Sequence, residues 1–232
     1  MKRSKTSIEP KFRREPPEAR RGELIAATLA CLKKFGNDGV SVRRISAEAG
    51  VSMGLINHHF AGIDRLVAAA YDALATRLLE KSREAALSSA DESKRLHAFF
   101  AASFAPEALD PTLFRIWLVF WSLVPHSREM RAVRDRTSRA ARAVLEKLLS
   151  DLQGTPGVPP FRLGPAAMGL SALMDGLWVE LSLNPSSFDA AEAVALCDDW
   201  VHGLRNGAFP AQRLSKRDAV VSVGADQRKV PA

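Results

Sequence analysis

The groups best able to do chemistry in this 232-residue chain crowd into one short stretch, Ser41 to Phe60. It reads Ser41-Val42-Arg43-Arg44-Ile45-Ser46-Ala47-Glu48-Ala49-Gly50, then Val51-Ser52-Met53-Gly54-Leu55-Ile56-Asn57-His58-His59-Phe60. Apolar residues recur at helical spacing on both sides of Gly50, and Ser41 and Ser52 stand where helix N-caps belong. Glycine permits the sharp turn between two such helices, as helix-turn-helix units often use. With Ile45, Ala49, Val51, Ile56 and Phe60 turned inward, Met53, Leu55, Asn57, His58 and His59 are left on outer or flanking faces. Their amide and imidazole groups suit base edges in a major groove. At the entry side Ser41, Arg43 and Arg44 reach phosphates or base edges. The chemistry on offer is recognition of double-stranded DNA rather than bond breaking.

Adjacent histidines also raise the question of a metal. Neighbouring helical residues point about 100° apart, and no cysteine or carboxylate accompanies His58 and His59 at ligand spacing, so no metal site is expected. Charge supports the polyanion reading. Residues 1–60 hold 12 Lys/Arg against 6 Asp/Glu, whereas the rest of the chain holds 21 against 20. A basic end on a near-neutral body is the pattern of a polyanion-binding module joined to something else. Residues 1–16 read as its basic, flexible arm.

The elements that must position these groups are helical throughout. Pro16-Pro17-Glu18 opens the first helix; Ile25, Leu29, Leu32 and Phe35 are its expected buried stripe, and Gly36 is its left-handed stop. Two helices as short as the next pair cannot offset the cost of nucleation alone, so they must pack on the first. Asp64 is expected to cap a fourth helix, to about residue 84, with Leu66, Ala70, Leu74 and Leu78 inside. Beyond the polar joint Ser88–Ser93, helices follow at about 94–104, 111–124 and 127–152, the second opened by Asp110 and Pro111. The loop Gly154–Pro160 precedes a last pair at about 165–183 and 189–206, where Asp189 and Glu192 form a capping-box-like start. The expected fold is all-α: a three-helix helix-turn-helix domain at 17–63, a larger helical ligand-binding and dimerisation domain at 64–207, and a mobile tail at 208–232.

Other functions are disfavoured. The segment Leu163–Leu183 is long enough to cross a bilayer but carries Pro165, Asp175 and Glu180, so no membrane role is expected. Cys31 and Cys197 alone cannot make a disulfide scaffold, which points to a reducing cytoplasm. No nucleophile elbow, P-loop, dinucleotide fingerprint or zinc-helix motif occurs, so neither catalysis nor a cofactor is expected. Asp198, Asp199 and His202 read as a polar helix face.

The first helix, Gly50-Val51-Ser52-x-Gly54 and His58-His59-Phe60 together resemble the DNA-binding domain of TetR-family transcriptional repressors, over about residues 20–66. The resemblance implies a third helix in the major groove, with Met53, Gly54, Leu55, Asn57, His58 and His59 at the matched positions. Arg43 and Arg44 match second-helix positions that also touch DNA. Asn57 stands where many members carry a tyrosine on a phosphate, and Ile63 where most carry a lysine. Both departures shift the expected affinity onto the arm Lys2–Arg14.

A second constellation lies further on. Phe114, Trp117 and Trp121 recur one helical turn apart, and Asp175 and Trp178 lie three apart on a later helix. Aromatic faces beside a carboxylate suit a quaternary ammonium, through cation–π attraction of roughly 0.5–2 kcal/mol. The alternative is a core stripe in which Asp175 accepts a hydrogen bond. The runs Phe114–Trp121 and Ala172–Trp178, with Asp189–Trp200, resemble the regulatory domain of choline-responsive repressors of glycine-betaine synthesis, with Glu180 and His126 as departures that alter the pocket. This implies a small effector such as choline. A regulator of a different small molecule, or a nonspecific nucleic-acid binder, is the alternative.

Two further patterns concern surfaces. Arg128, Arg131, Arg139 and Arg142 share a helix face with Asp135 and Glu146, which reads as a solvated, ion-paired surface. Small residues Gly169, Ser171, Ala172 and Gly176, with Ala191, Ala195, Leu196 and Val201, suggest a four-helix interface across a two-fold axis. A homodimer also suits two short reading helices facing a palindromic operator.

Overall fold

The computed structural model describes residues 16–207. The expected arm, Lys2–Arg14 included, and the tail at 208–232 lie outside the described residues. Among those described the chain is all-α. Its helices are α1 (Pro17–Phe35), α2 (Val42–Glu48), α3 (Met53–Phe60), α4 (Ile63–Leu87), α5 (Glu92–Ser103), α6 (Pro111–Leu123), α7 (Arg128–Gln153), α8 (Leu163–Leu183) and α9 (Ala190–Arg205).

Local chemistry explains several boundaries. Pro16 and Pro17 open α1 where a missing N–H costs nothing. The Asp110 carboxylate accepts the Thr112 N–H at 2.8 Å, and Pro111 occupies the first turn of α6. That bond holds the Asp110 carboxyl below its usual range, helped by the Lys33 and Arg115 charges. Asp189 and Glu192 complete a reciprocal capping box at α9. Two expected caps are not made: Ser41 and Ser52 take the extended N-cap backbone, but neither hydroxyl accepts a bond from its helix. Asp64 is corrected too. α4 begins at Ile63, so this carboxylate lies inside the first turn and acts on the helix dipole.

Between α1 and α2 a single 3-10 turn, Gly36–Gly39, reverses the chain. Gly36 has φ 57° and ψ −133°, a region open to glycine. A Cβ at Gly39 would run into the Cys31 backbone carbonyl, so only glycine lets the chain lie against α1 here.

The chain divides into two compact units. The first takes residues up to Leu78 together with Asp110–Ser138; the second takes Leu79–Leu109 and Arg139 onward. In the first unit α1 is wrapped rather than striped. Leu24, Ala27 and Cys31 join Ile45, Ile56, Phe60 and Leu66 in one core, with Val42, Ala49 and Val51 packed around it. Leu32 joins Val67, Ala70, Tyr71, Leu74, Leu113, Ile116, Phe120 and Met130 in another, against which Leu29 packs. This corrects the predicted stripe of α1: Ile25, Leu29 and Phe35 are only half-buried, while Leu24 and Cys31 are fully covered. The reason is α6, which packs against α1 and claims a second face of it. At about 2 kcal/mol for each fully buried large apolar side chain, α1 is anchored from two directions.

The second unit is built on Phe99, Phe100, Leu149, Leu152, Leu170 and Cys197, with Leu145, Leu181 and Leu204 around them. α8 is long and apolar enough, by length and composition, to cross a membrane. Here Ala166, Ala167, Leu170 and Leu181 bury part of it in protein. α8 meets α9 at Gly169, where an added Cβ would lie 2.7 Å from the Trp200 indole. Gly169 and Val201 pack within the subunit. Burial, aided by the Asp198 charge, pushes the Cys197 thiol up to about 12, and burial also raises Cys31, so neither is a ready nucleophile.

Candidate nucleic-acid interface and aromatic cluster

The outer side of α2 and α3 is polar and open. Arg43, Arg44, Ser52, Gly54, Asn57 and His58 are exposed, while Ser41, Leu55 and His59 are half-buried. Met53 is 58% exposed, a large apolar side chain held in water at the start of α3. A Cβ at Gly54 would meet nothing within 4 Å, so no packing inside the chain calls for glycine there. Ile56 and Phe60, at 0% and 5% exposed, pin the inner side. The structure thus brings all ten sequence-predicted residues to one helix-turn-helix. α3 is two turns long, and an α-helix, about 10–12 Å across with its side chains, fits the width of a major groove.

Not every predicted contact group projects freely. The Arg44 guanidinium lies over the Phe35 ring, 4.4 Å from its centroid, and Lys34 stands 5.1 Å from the same ring. The two imidazoles of His58 and His59 meet edge to face at 5.0 Å. No group of three or more His, Cys, Asp or Glu able to hold a metal occurs among the described residues.

The predicted effector residues fall in separate units and are placed as follows. In the first unit, Trp117 and Trp121 are half-buried and stack, with ring centroids 6.2 Å apart at 30°. Tyr71 on α4 meets Trp117 edge-on at 5.0 Å and Phe120 at 5.1 Å. Phe114 is buried, 6% exposed. In the second unit, Asp175 is exposed and Trp178 half-buried, its indole N–H donating to the Ala108 carbonyl at 3.0 Å. Sequence reasoning missed Tyr71. The signal was present: it is the chain's one tyrosine, and Val67, Tyr71, Leu74 and Leu78 recur at helical spacing beside the stripe assigned to α4.

The arginines of α7 are also redistributed. Arg136 pairs with Asp72 of α4 at 2.8 Å, and Arg131 donates to the Pro125 carbonyl at 3.5 Å. The pairs expected with Asp135 and Glu146 are not formed among the described residues. Exposed side chains gain little from such pairing in water. Asp198 instead meets His97 of α5 at 2.7 Å on the surface.

A short helix with an open, mostly polar side, on a core built by α1, α2, α3 and the start of α4, is the arrangement of a DNA-binding helix-turn-helix. Comparison with known proteins agrees. Residues 24–70 match the model of the bacterial regulatory proteins of the tetR family, and residues 92–206 match the C-terminal region of BetI-type transcriptional repressors. The HTH-type transcriptional regulator BetI of Serratia proteamaculans (strain 568) is 32% identical over 195 residues, covering 82% of this chain and 95% of its own. A transcriptional regulator of Pseudomonas aeruginosa PAO1, known from a crystal structure, is 47% identical at a TM-score of 0.76, covering 84% of this chain and 94% of its own. A regulator from Saccharomonospora viridis, solved in complex with choline, shares the fold at 19% identity and a TM-score of 0.65, covering 81% of this chain and 97% of its own. The chain belongs to the TetR family, as a transcriptional repressor of the BetI type.

Proposed function

We propose that this repressor binds a palindromic operator as a homodimer in the cytoplasm, and that choline or a related quaternary ammonium releases it. It acts by binding and not by catalysis. The reading residues are Ser41, Arg43, Arg44, Ser52, Met53, Gly54, Leu55, Asn57, His58 and His59, with functional domains divided at 63/64. The effector residues are assigned within each unit by itself: Phe114, Trp117 and Trp121 in the first, Asp175 and Trp178 in the second. The observation that carries the effector assignment is the stacked, half-buried Trp117–Trp121 pair backed by Tyr71. Indole faces within reach of solvent attract a cation without a hydrogen bond, which a quaternary ammonium cannot donate. The choline-bound structure from S. viridis supports the same class of ligand.

Dimerisation is assigned to α8 and α9. Met168 and Leu196 are 53% and 47% exposed, and Ala172, Gly176 and Ala195 lie open on the same two helices. Such a surface gains most from a second copy of itself. Release follows if choline binds better to the arrangement in which the two reading helices no longer match the half-sites.

The test is a titration of choline against a labelled duplex selected by the protein from a random pool. Dissociation at millimolar choline is expected in wild type, and W117A should shift the midpoint at least tenfold, the cost of about 1.4 kcal/mol. Unchanged binding at millimolar choline would refute the effector and leave the repressor standing.

A further inference from the structure

We propose that Arg21, on α1, is the residue that fixes the rotation of α3 and so aims the reading side chains at the groove. The proposal rests on the DNA-reading role of α3 and deepens it. Arg21 is half-buried beside the far end of α3. Its guanidinium carbon lies 4.2 Å from the Phe60 ring centroid, and one of its Nη–H groups donates to the His59 backbone carbonyl. Both partners belong to the last turn of α3, which Ala61 closes in the left-handed conformation at φ 53°.

Three physical arguments make this contact more than packing. α3 has eight residues, so its last-turn carbonyls are a large share of its backbone and lack partners within the helix. Arg21 satisfies one of them and sets a positive charge at the negative end of the helix dipole. Secondly, α3 carries neither an N-cap side-chain bond nor a long buried stripe, so it borrows its orientation from α1. α1 can lend it, being held by two cores. Thirdly, Asn57 and His58 lie within one turn of the Arg21 contact. A rotation of α3 by about 20° moves side-chain tips at about 5–6 Å radius by about 2 Å, beyond the range of a hydrogen bond to a base. Only arginine offers a plane for the ring and a donor for the carbonyl at once; lysine supplies charge and donors on a compact head but no plane to lie on the ring.

The experiment compares wild type, R21K and R21A on the selected duplex and on a scrambled one, across a salt series, alongside amide hydrogen exchange of the DNA-free protein. Both variants should lose about tenfold in preference for the selected site, the worth of one charge-assisted hydrogen bond. The salt slope should stay unchanged, and the last-turn amides of α3 should exchange faster while those of α1 hold. A slope shallower by about one with preference intact would mean that Arg21 touches a phosphate directly and overturn the proposal. R21K behaving as wild type in both assays would overturn it as well, since a compact cation without the guanidinium plane would then suffice. If R21A loses its helical circular dichroism, R21K carries the test. If wild type prefers no duplex, the DNA-reading role itself fails, and the exchange data still decide whether Arg21 holds α3.

Discussion

The pairs α2–α3 and α8–α9 are both helix pairs with a face left open, and they reach that state by opposite means. α2 and α3 have seven and eight residues. They take their positions from α1, through Ile45, Ile56, Phe60 and the Arg21 contact, and what they show outward is polar apart from Met53. α8 and α9 have 21 and 16 residues and are held against each other at Gly169 and Trp200. What they show outward includes an apolar group, Met168, Ala172, Ala195 and Leu196. The lesson is one of solvation. A polar, hydrated face exchanges its water for phosphates and base edges at little cost, whereas an apolar face gains by removal from water.

Three perturbations break or sharpen this contrast. The largest effect belongs to the polar face. Replacing Asn57 and His58 together by alanine should cost about 4 kcal/mol in preference for the selected duplex, at about 2 kcal/mol for each base pair left unread. Melting should hardly change, because both side chains are exposed. A competition assay on selected and random duplexes reads the preference, and retained preference would remove the assignment of α3. Next come two glycines that differ in what they touch. G39A meets the immovable Cys31 carbonyl and should destabilise by about 3 kcal/mol, while G169A meets a Trp200 ring that can shift and should cost about 1 kcal/mol. Urea unfolding would measure both, and equal costs would mean that the α8–α9 approach is as rigid as the first turn.

The smallest effect compares caps. D189A removes the side-chain half of the capping box at α9, the bond its carboxylate accepts from the Glu192 N–H, and should cost about 1 kcal/mol. S52A removes a hydroxyl that bonds nothing in α3 and should change stability by no more than about 0.3 kcal/mol. Thermal melts of the two variants make the check. A loss in S52A as large as in D189A would mean that the hydroxyl caps α3 in solution.

Most of the secondary structure is legible because local signals write it. Asp110-Pro111, Asp189 with Glu192 and Gly36 each act within one turn, and each marks an end where the sequence predicts one. What resists reading is tertiary. Nothing in the sequence of α1 says that a helix ninety residues on will cover its second face, so its spacing points to Ile25 and Leu29 instead of Leu24 and Cys31. The same holds for Gly169, whose smallness serves an indole in its own subunit. In the candidate site, exposure on α3 follows from period alone. The Tyr71–Trp117 contact needs α4 and α6 brought together and is invisible within either helix.

Ile25 and Ile63 pack against both cores of the first unit. A fragment cut after Ile63 would therefore carry off a helix whose greasy flank, Ile25, Leu29 and Leu32, had been stripped of its lining. The operator-reading end is thus no detachable cassette. Grafted onto another protein without α4 and α6, it would clump or unravel before it met any DNA.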